Sequence, residues 1–354
     1  MNSVLDNPDY IKQHDSEGML ETITGFPQSA RKAIQNTEGI RFKIHGGNYD
    51  AILIAGMGGS AVGGLLLKDW LEDTIKIPIT VNRGYHLPAW VDENTLIYAV
   101  SYSGGTEETL SQYREAVERG CSVVCFCSGG LLADRARENE HTLVKFPKGM
   151  QPRASLPYQF FNLIGVTRRI GLINDAKWTE VEEAIKVLEE ICSEMNPTVP
   201  IESNQSKRLA EEIKGYIPYV YAPSLLASVA YRYSTQFNEN SKSPSGTNFY
   251  PEAFHNSIMA REAGKELLEK ICAIIIQDKE GETRLSKKID VSVELMKERF
   301  GKVITVETRG TSNLARMMSV LVKGDYASAY LGLLYGTDPS ATESIRILKA
   351  SMKD

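Results

Sequence analysis

The stretch Ala51-Ile-Leu-Ile-Ala-Gly-Met-Gly-Gly-Ser-Ala-Val-Gly-Gly64 constrains the fold more than any other part of the chain. An apolar run gives way to a glycine-rich turn carrying one serine, and an apolar segment then resumes. That order predicts a buried strand, a tight loop and the start of a helix. Glycines let the backbone approach an anion without a Cβ in the way, Ser60 adds a hydroxyl, and the first helical turn offers unpaired N–H groups at its positive end. The loop therefore reads as a phosphate-sized anion site built around backbone, with Gly59 and Ser60 at its centre. A dinucleotide fingerprint fits poorly, because the spacing is Gly-x-Gly-Gly-Ser and no acidic residue closes the next strand. A strand-to-helix turn that binds nothing remains an alternative at this point.

The same theme recurs downstream. Ile77–Val81 and Thr95–Val100 read as strands, and the second ends in the polar loop Ser101-Tyr-Ser-Gly-Gly-Thr-Glu-Glu-Thr109, which opens a helix running to Gly120. Ser122–Phe126 is a further strand, closed by Ser128-Gly-Gly130, and Thr142–Phe146 continues the unit. Alternating strands and helices predict an α/β fold with a parallel sheet flanked by helices. Residues 1–40 read as a helical lead-in, and residues 41–195 as an N-terminal, phosphate-binding domain. Asn196-Pro-Thr-Val-Pro200 marks the expected junction. Residues 200–354 form a second α/β domain with a helix at 205–213, a strand at 218–222, a helix at 225–239, strands at 273–276 and 302–307, and a helical tail from Asn313 to Leu334. The two halves repeat strand, polar turn and helix, as duplicated domains would.

In an open parallel sheet, loops at the carboxyl ends of adjacent strands share one edge, and ligands bind there. Gly59, Ser60, Ser101, Ser103 and Thr106 are therefore expected side by side, a set of amides and hydroxyls suited to a phosphate monoester. The alternative for the second loop is an ordinary Ser/Thr cap, with Glu107 and Glu108 favouring the first helical turn.

Composition narrows the partners. The formal charge of −5 and the lack of a basic stripe argue against nucleic acid. No apolar run approaches the roughly 18 to 20 residues of a membrane span, and the N-terminus lacks a basic region followed by an apolar core, so a cytoplasmic location is expected. Cys121, Cys125 and Cys127 sit in an apolar strand and read as core filling, with Cys192 and Cys272 far away. The five histidines show no metal-ligand spacing, and no metal or cofactor is expected.

Gly58-Gly-Ser60 and Ser101–Thr109 together resemble the sugar isomerase (SIS) domain. Gln236-Phe-Asn-Glu-Asn240, followed by Phe254-His-Asn256, resembles the bifunctional phosphoglucose/phosphomannose isomerases within that superfamily, and the resemblance runs from about residue 40 to Lys349. It implies two similar SIS-type domains and an aldose–ketose isomerase acting through a cis-enediol without a metal. By the same resemblance Ser60, Ser101, Ser103 and Thr106 hold the phosphate, Arg153 faces the enediol, Glu239 is the base, and His255 and Lys349 serve ring opening. A homodimer is also implied, with His255 reaching the partner subunit's site. Asp338-Pro-Ser-Ala-Thr342 departs from the family's Asp-Pro-Thr-Pro, so Ser340 or Thr342 would take the threonine's role in accepting the C2 epimer. The residues before His255 also differ from the family's usual set.

The chemistry independently asks for these residue types. Moving a proton between C1 and C2 needs one carboxylate that takes it and returns it, and a cation near the developing enediolate. Glu239 and Arg153 fit those roles, and a neutral imidazole such as that of His255 suits a ring-oxygen shuttle. The competing readings are a solvated helix-end glutamate, a structural histidine and a surface lysine, with Lys353 a rival to Lys349. A non-catalytic SIS sensor of sugar phosphates is the alternative function, but the short lead-in offers no helix-turn-helix reader. The glucosamine-6-phosphate synthase type would need an amide-donor domain absent from these residues.

Overall fold

The computed structural model describes residues 3–44 and 49–351, with the side chain of Lys349 outside that set. The chain divides into two compact units, Phe26–Ile185 and Met1–Gly25 together with Lys186–Asp354. The helical lead-in is thus split at Gly25. Helices α1 (Pro8–His14) and α2 (Met19–Thr24) belong with the later part of the chain, and α3 (Phe26–Glu38) belongs with the earlier part.

Side-chain contacts explain the split. Thr24 Oγ1 meets Tyr326 OH at 2.7 Å, and Asp6 takes the ammonium of the buried Lys207 at 2.9 Å. Phe26 instead packs edge-on against Phe161 in its own unit, with ring centroids 6.4 Å apart.

The unit of residues 26–185 holds five parallel strands, β1 (Ala51–Ala55), β2 (Ile79–Asn82), β3 (Thr95–Val100), β4 (Ser122–Cys127) and β5 (Thr142–Lys145), in the order β2-β1-β3-β4-β5. Every residue of β1, β3 and β4 is buried, as expected for central strands covered on both faces. The helices of this unit are α3, α4 (Gly59–Leu71), α5 (Glu107–Glu118), α6 (Gly130–Glu138), α7 (Leu156–Arg169) and the first half of α8 (Asp175–Met195), and α8 meets α4 through the bond from Trp70 Nε1 to Glu180 (2.9 Å). Strand order reverses at β1, so the loops after β1 and β3 flank the topological switch point, where open α/β sheets bind ligands.

The other unit contains α9 (Gln205–Ile213), β6 (Ile217–Pro223), α10 (Ala227–Asn240), β7 (Gly246–Tyr250), α11 (Lys265–Leu268), β8 (Ile271–Gln277), α12 (Thr283–Lys297), β9 (Lys302–Glu307), α13 (Asn313–Leu334) and α14 (Glu343–Ser351). Its four parallel strands run β7-β6-β8-β9. Matched strand by strand, that is the order β2-β1-β3-β4 of the first sheet, with no counterpart of β5 among the described residues. Strand β7 was not expected from the sequence. Gly246-Thr-Asn-Phe-Tyr250 is a half-buried edge strand without an apolar run, so pairing with β6 defines it more than its own residues do. In α13 every residue from 314 to 333 is buried, which makes it the central helix of its unit and forces the charges of Arg316, Lys323 and Asp325 into the interior.

Candidate functional site

The first group of expected site residues lies on the unit of residues 26–185. After β1 the chain turns through Gly58 and enters α4 at Gly59. A Cβ on Gly59 would lie 3.1 Å from the carbonyl oxygen of Pro152 and 3.3 Å from Cα of Arg153, so glycine is what lets the Arg153 backbone close on the start of α4. Ser60, buried, accepts a hydrogen bond from the N–H of Tyr102 (3.3 Å), which ties the first loop to the second. Its own hydroxyl hydrogen has no acceptor among the described residues.

The second loop is organised by Ser101, which is 1% exposed. Its Oγ accepts from the N–H of Gly104 (3.1 Å) and shares a hydrogen with Thr106 Oγ1 (2.8 Å). Thr106 stands at the N-cap of α5, yet its hydroxyl makes no cap bond and turns to Ser101 instead. Ser103 is exposed, and its Oγ accepts from the N–H of Gly105 (3.3 Å). The structure thus brings Ser60, Ser101, Ser103 and Thr106 to one sheet edge, beside the positive ends of α4 and α5.

Two supports of this loop escaped the sequence reading. Tyr102 stacks on Phe146, donates its hydroxyl to the carbonyl of Pro147 (2.9 Å) and accepts from the N–H of Met150 (2.9 Å). Burial raises its pKa, keeping the phenol protonated as that donor. It therefore latches the turn that leads to Arg153. Ser128 donates its backbone N–H (2.9 Å) and its hydroxyl (2.7 Å) to the carbonyl of Tyr102, and Leu132 N–H reaches the carbonyl of Gly104 (2.8 Å). The only signals for these roles were the tyrosine between two serines and the Ser-Gly-Gly run after β4.

Arg153 is 2% exposed and sits in the 3₁₀ turn Pro152–Ser155. Gln159 pins that turn through bonds from Nε2 to the carbonyl of Pro152 (2.8 Å) and to Ser155 Oγ (2.6 Å).

The second group lies on the other unit. Glu239 is half-buried in the last turn of α10. Helix α10 is fastened to α13 by a bidentate pair, Arg232 Nε and Nη2 to Asp325 at 2.8 and 2.7 Å, with both side chains 2% exposed. Tyr233 OH donates to the carbonyl of Val320 (2.7 Å) and Asn240 Nδ2 to Ser328 Oγ (2.9 Å). Lys242, also missed from the sequence, donates Nζ to the carbonyls of Glu239 (2.5 Å), Ala341 (2.9 Å) and Asp338 (3.2 Å). A cation is favourable at a helix C-terminus, and this one ties the end of α10 to the 338–341 turn.

In that turn the N–H of Ser340 donates to Asp338 Oδ1 (2.7 Å), while Ser340 Oγ is buried without a partner among the described residues. Thr342 is half-buried. His255 is exposed after the 3₁₀ turn Glu252–Phe254, its N–H bonded to the carbonyl of Glu252 (2.9 Å) and its ring without a partner among the described residues. The backbone of Lys349 lies in α14, and its side chain falls outside the described residues.

Among the described residues no cluster of His, Cys, Asp and Glu could hold a metal ion, and no helix is long and apolar enough to cross a membrane. All five cysteines are buried and unbridged. Burial pushes the thiols of Cys121 and Cys127 up to about 11 and that of Cys125 well above its ordinary value, as core residues require.

Comparison with known proteins adds a family to this geometry. Residues 202–352 match the family described as the bacterial phospho-glucose isomerase C-terminal SIS domain. The chain is 38% identical over 340 residues to a bifunctional phosphoglucose/phosphomannose isomerase of Caldicellulosiruptor bescii, covering 95% of this chain and 100% of the relative. It is 35% identical to the enzyme of the same name from Aquifex aeolicus, covering 86% and 91%. Among solved structures, a hypothetical protein of Thermus thermophilus superposes with a TM-score of 0.76 at 13% identity, covering 98% of this chain and 92% of that one.

Proposed function

Because this chain belongs to the family of bifunctional phosphoglucose/phosphomannose isomerases, we propose that it interconverts glucose 6-phosphate and mannose 6-phosphate with fructose 6-phosphate through a cis-enediol. The observation that carries the ligand class is the hydroxyl set Ser60, Ser101, Ser103 and Thr106 at the switch point of the first sheet. These groups and the helix N-termini hold the phosphate. The unit of residues 26–185 is then the phosphate-binding domain, and the other unit supplies the base.

Glu239 removes the proton from C2 of the open-chain aldose. The electron pair moves onto the carbonyl oxygen O1, and the Arg153 guanidinium stabilises the enediolate. Glu239 then returns the proton to C1 while the O2 hydroxyl proton passes to O1, so that O2 becomes the ketone carbonyl and O1 a hydroxyl. His255 and Lys349 serve ring opening at O5, with His255 acting in a partner subunit's site across a homodimer. Ser340 or Thr342 accommodates the C2 epimer, and the unpartnered buried hydroxyl of Ser340 favours the former. No nucleic acid, membrane, metal or cofactor takes part, and the cytoplasm is the proposed location.

Purified protein should convert fructose 6-phosphate to both aldose phosphates in EDTA. Glu239→Gln should lower kcat at least roughly a hundredfold, the scale of general-base loss. Wild-type activity in that variant would sink the assignment. Binding without proton exchange at C2 in heavy water would point to a sensor instead.

A further inference from the structure

A cavity of about 490 Å³ lies beside β9, bordered by residues 304–308 of that strand region, by α9 and by Lys323 of α13. It shares no residue with the hydroxyl clamp or with Glu239, His255 and Lys349. Arg208, Lys279, Arg309 and Lys323 line it against two carboxylates, Glu212 and Glu307.

Three of the four cations are already matched. Arg309 is paired bidentately with Glu194 (2.7 and 2.9 Å), Lys279 meets Glu307 (2.6 Å), and Arg208 donates to the carbonyls of Ile201 and Glu202. Glu212 is in turn paired with Lys302 (3.3 Å). Lys323 is the exception. It is 7% exposed, and among the described residues its ammonium makes one hydrogen bond, to the carbonyl of Glu307 (3.1 Å), with no carboxylate in ion-pair range. An ammonium has three donors, and leaving two of them buried without acceptors is costly.

Strand β9 is the last of its sheet, and among the described residues no strand pairs with its outer edge. The carbonyl of Glu307 that reaches Lys323 shows that this edge faces the cavity, and the N–H of the same residue points the same way.

We infer that this cavity is a second anion site, which takes a small phosphate ester with its phosphate on Lys323 Nζ and the outer N–H groups of β9. A three-donor ammonium beside backbone N–H groups matches a tetrahedral anion. The volume exceeds that of a bare ion, and the flanks formed by Gln205, Thr305 and Thr308 suit a hydroxylated body. Burial, followed by the charge of Arg309, lowers the Lys323 pKa to about 8, with Lys279 acting the same way and Glu194 and Glu307 opposing. A bound anion favours the protonated amine, so affinity falls as pH rises through that value.

The test uses the full chain with inorganic phosphate as probe and reads the rate at which an amine-reactive anhydride labels Lys323 by peptide mass. At about ten times its Kd, phosphate should slow labelling about tenfold. That protection should persist in Ser60→Ala/Ser101→Ala, where the clamp is broken. Equilibrium dialysis should find two phosphates per wild-type chain and one in Lys323→Met, whose isomerase activity is unchanged. Labelling indifferent to phosphate would overturn the inference, as would protection that disappears with the clamp or equal stoichiometry in Lys323→Met. The labelling arm needs no variant, so a Lys323→Met chain that fails to fold leaves the test intact.

Discussion

Gly104 offers the sharpest test of how the proposed phosphate loop is held. Its φ is +70°, and a Cβ built there would lie 1.8 Å from the carbonyl oxygen of Gly129 and 2.8 Å from its carbonyl carbon. Both neighbours are backbone, so no side chain can swing aside. An ordinary contact is about 3.5 Å, so the loops after β3 and β4 would have to part by roughly 1.5 Å. Parting them stretches the bond from Leu132 N–H to the Gly104 carbonyl (2.8 Å) and the bond from Gly104 N–H to Ser101 Oγ (3.1 Å). The left-handed conformation costs alanine about 1–2 kcal/mol and each bond contributes about 0.5–1.5 kcal/mol, so Gly104→Ala should destabilise by about 2–5 kcal/mol. Ser101 carries the disturbance to Thr106, and misplacing positioning groups by about 1 Å costs on the order of a hundredfold in kcat/KM. Gly105 is the internal control, because its nearest neighbour to a built Cβ is Ser103 Oγ at 4.0 Å and its φ lies outside the left-handed range. Gly105→Ala should stay within about 0.5 kcal/mol of wild type. Urea unfolding and steady-state kinetics on both variants decide the matter. Near-wild-type behaviour of Gly104→Ala, or equal damage from Gly105→Ala, would refute the reasoning.

Two further outcomes follow from charges buried around α13. The folded-state pKa of Lys323 is lowered to about 8 from 10.5, so its protonated form is penalised in the fold at neutral pH and the penalty disappears as pH rises from about 8 to 10.5. In phosphate-free buffer Lys323→Met should therefore be more stable than wild type at pH 7, by at most about 3 kcal/mol, with the gap closing towards pH 10.5; urea midpoints across that range measure it. Asp325→Asn leaves the buried Arg232 guanidinium without its counter-charge and should cost about 3–5 kcal/mol. It should also lower kcat more than it raises KM for the sugar phosphate, because the helix that carries Glu239 loses its main fastening to α13.

The parts of the fold that were legible in the sequence are those defined by local pattern. Apolar runs ending in small polar residues located β1 and β3 and their loops, and the helix from Asn313 to Leu334 was found with its observed limits. Local pattern could not assign a core. Helical periodicity runs through Met19, Ile23, Ala30 and Ala33 without saying that the chain changes partners at Gly25. It also missed β7, whose pairing is tertiary. The site divides in the same way. The hydroxyls of Ser60, Ser101, Ser103 and Thr106 belong to recognisable loops, whereas Tyr102 and Lys242 act on carbonyls brought near by folding. Lys323 gave no signal either, since a lysine in an apolar helix reads as a surface position until every face of that helix is found to be buried.

The matching strand orders raise the question of why only one sheet edge would carry a phosphate clamp. The counterparts of the loops after β1 and β3 are those after β6 and β8, and they differ in charge. Strand β6 ends at Pro223 and passes directly into a 3₁₀ turn at Ser224, with no glycine to admit an anion to the backbone, and the loop after β8 begins with Asp278, which is 6% exposed. Arg316 closes on Asp278 at 3.1 Å, and Thr308 donates its hydroxyl to the same carboxylate (3.3 Å). A phosphate dianion at this edge would meet a buried negative charge whose neutralising guanidinium is already engaged, an arrangement that disfavours entry by like-charge repulsion. With a buried ion pair, Asp278 with Arg316, at its switch point, the second unit in the proposed function contributes elements away from that position, the C-terminal turn of α10 with Glu239 and the turn after β7 with His255. On this reading a single architecture supplies the handle for the substrate in one copy and the acid–base groups in the other. On the same reading the difference between them lies in their loops, the proposed anion cradle after β1 and β3 against the internal ion pair of Asp278 and Arg316 after β8.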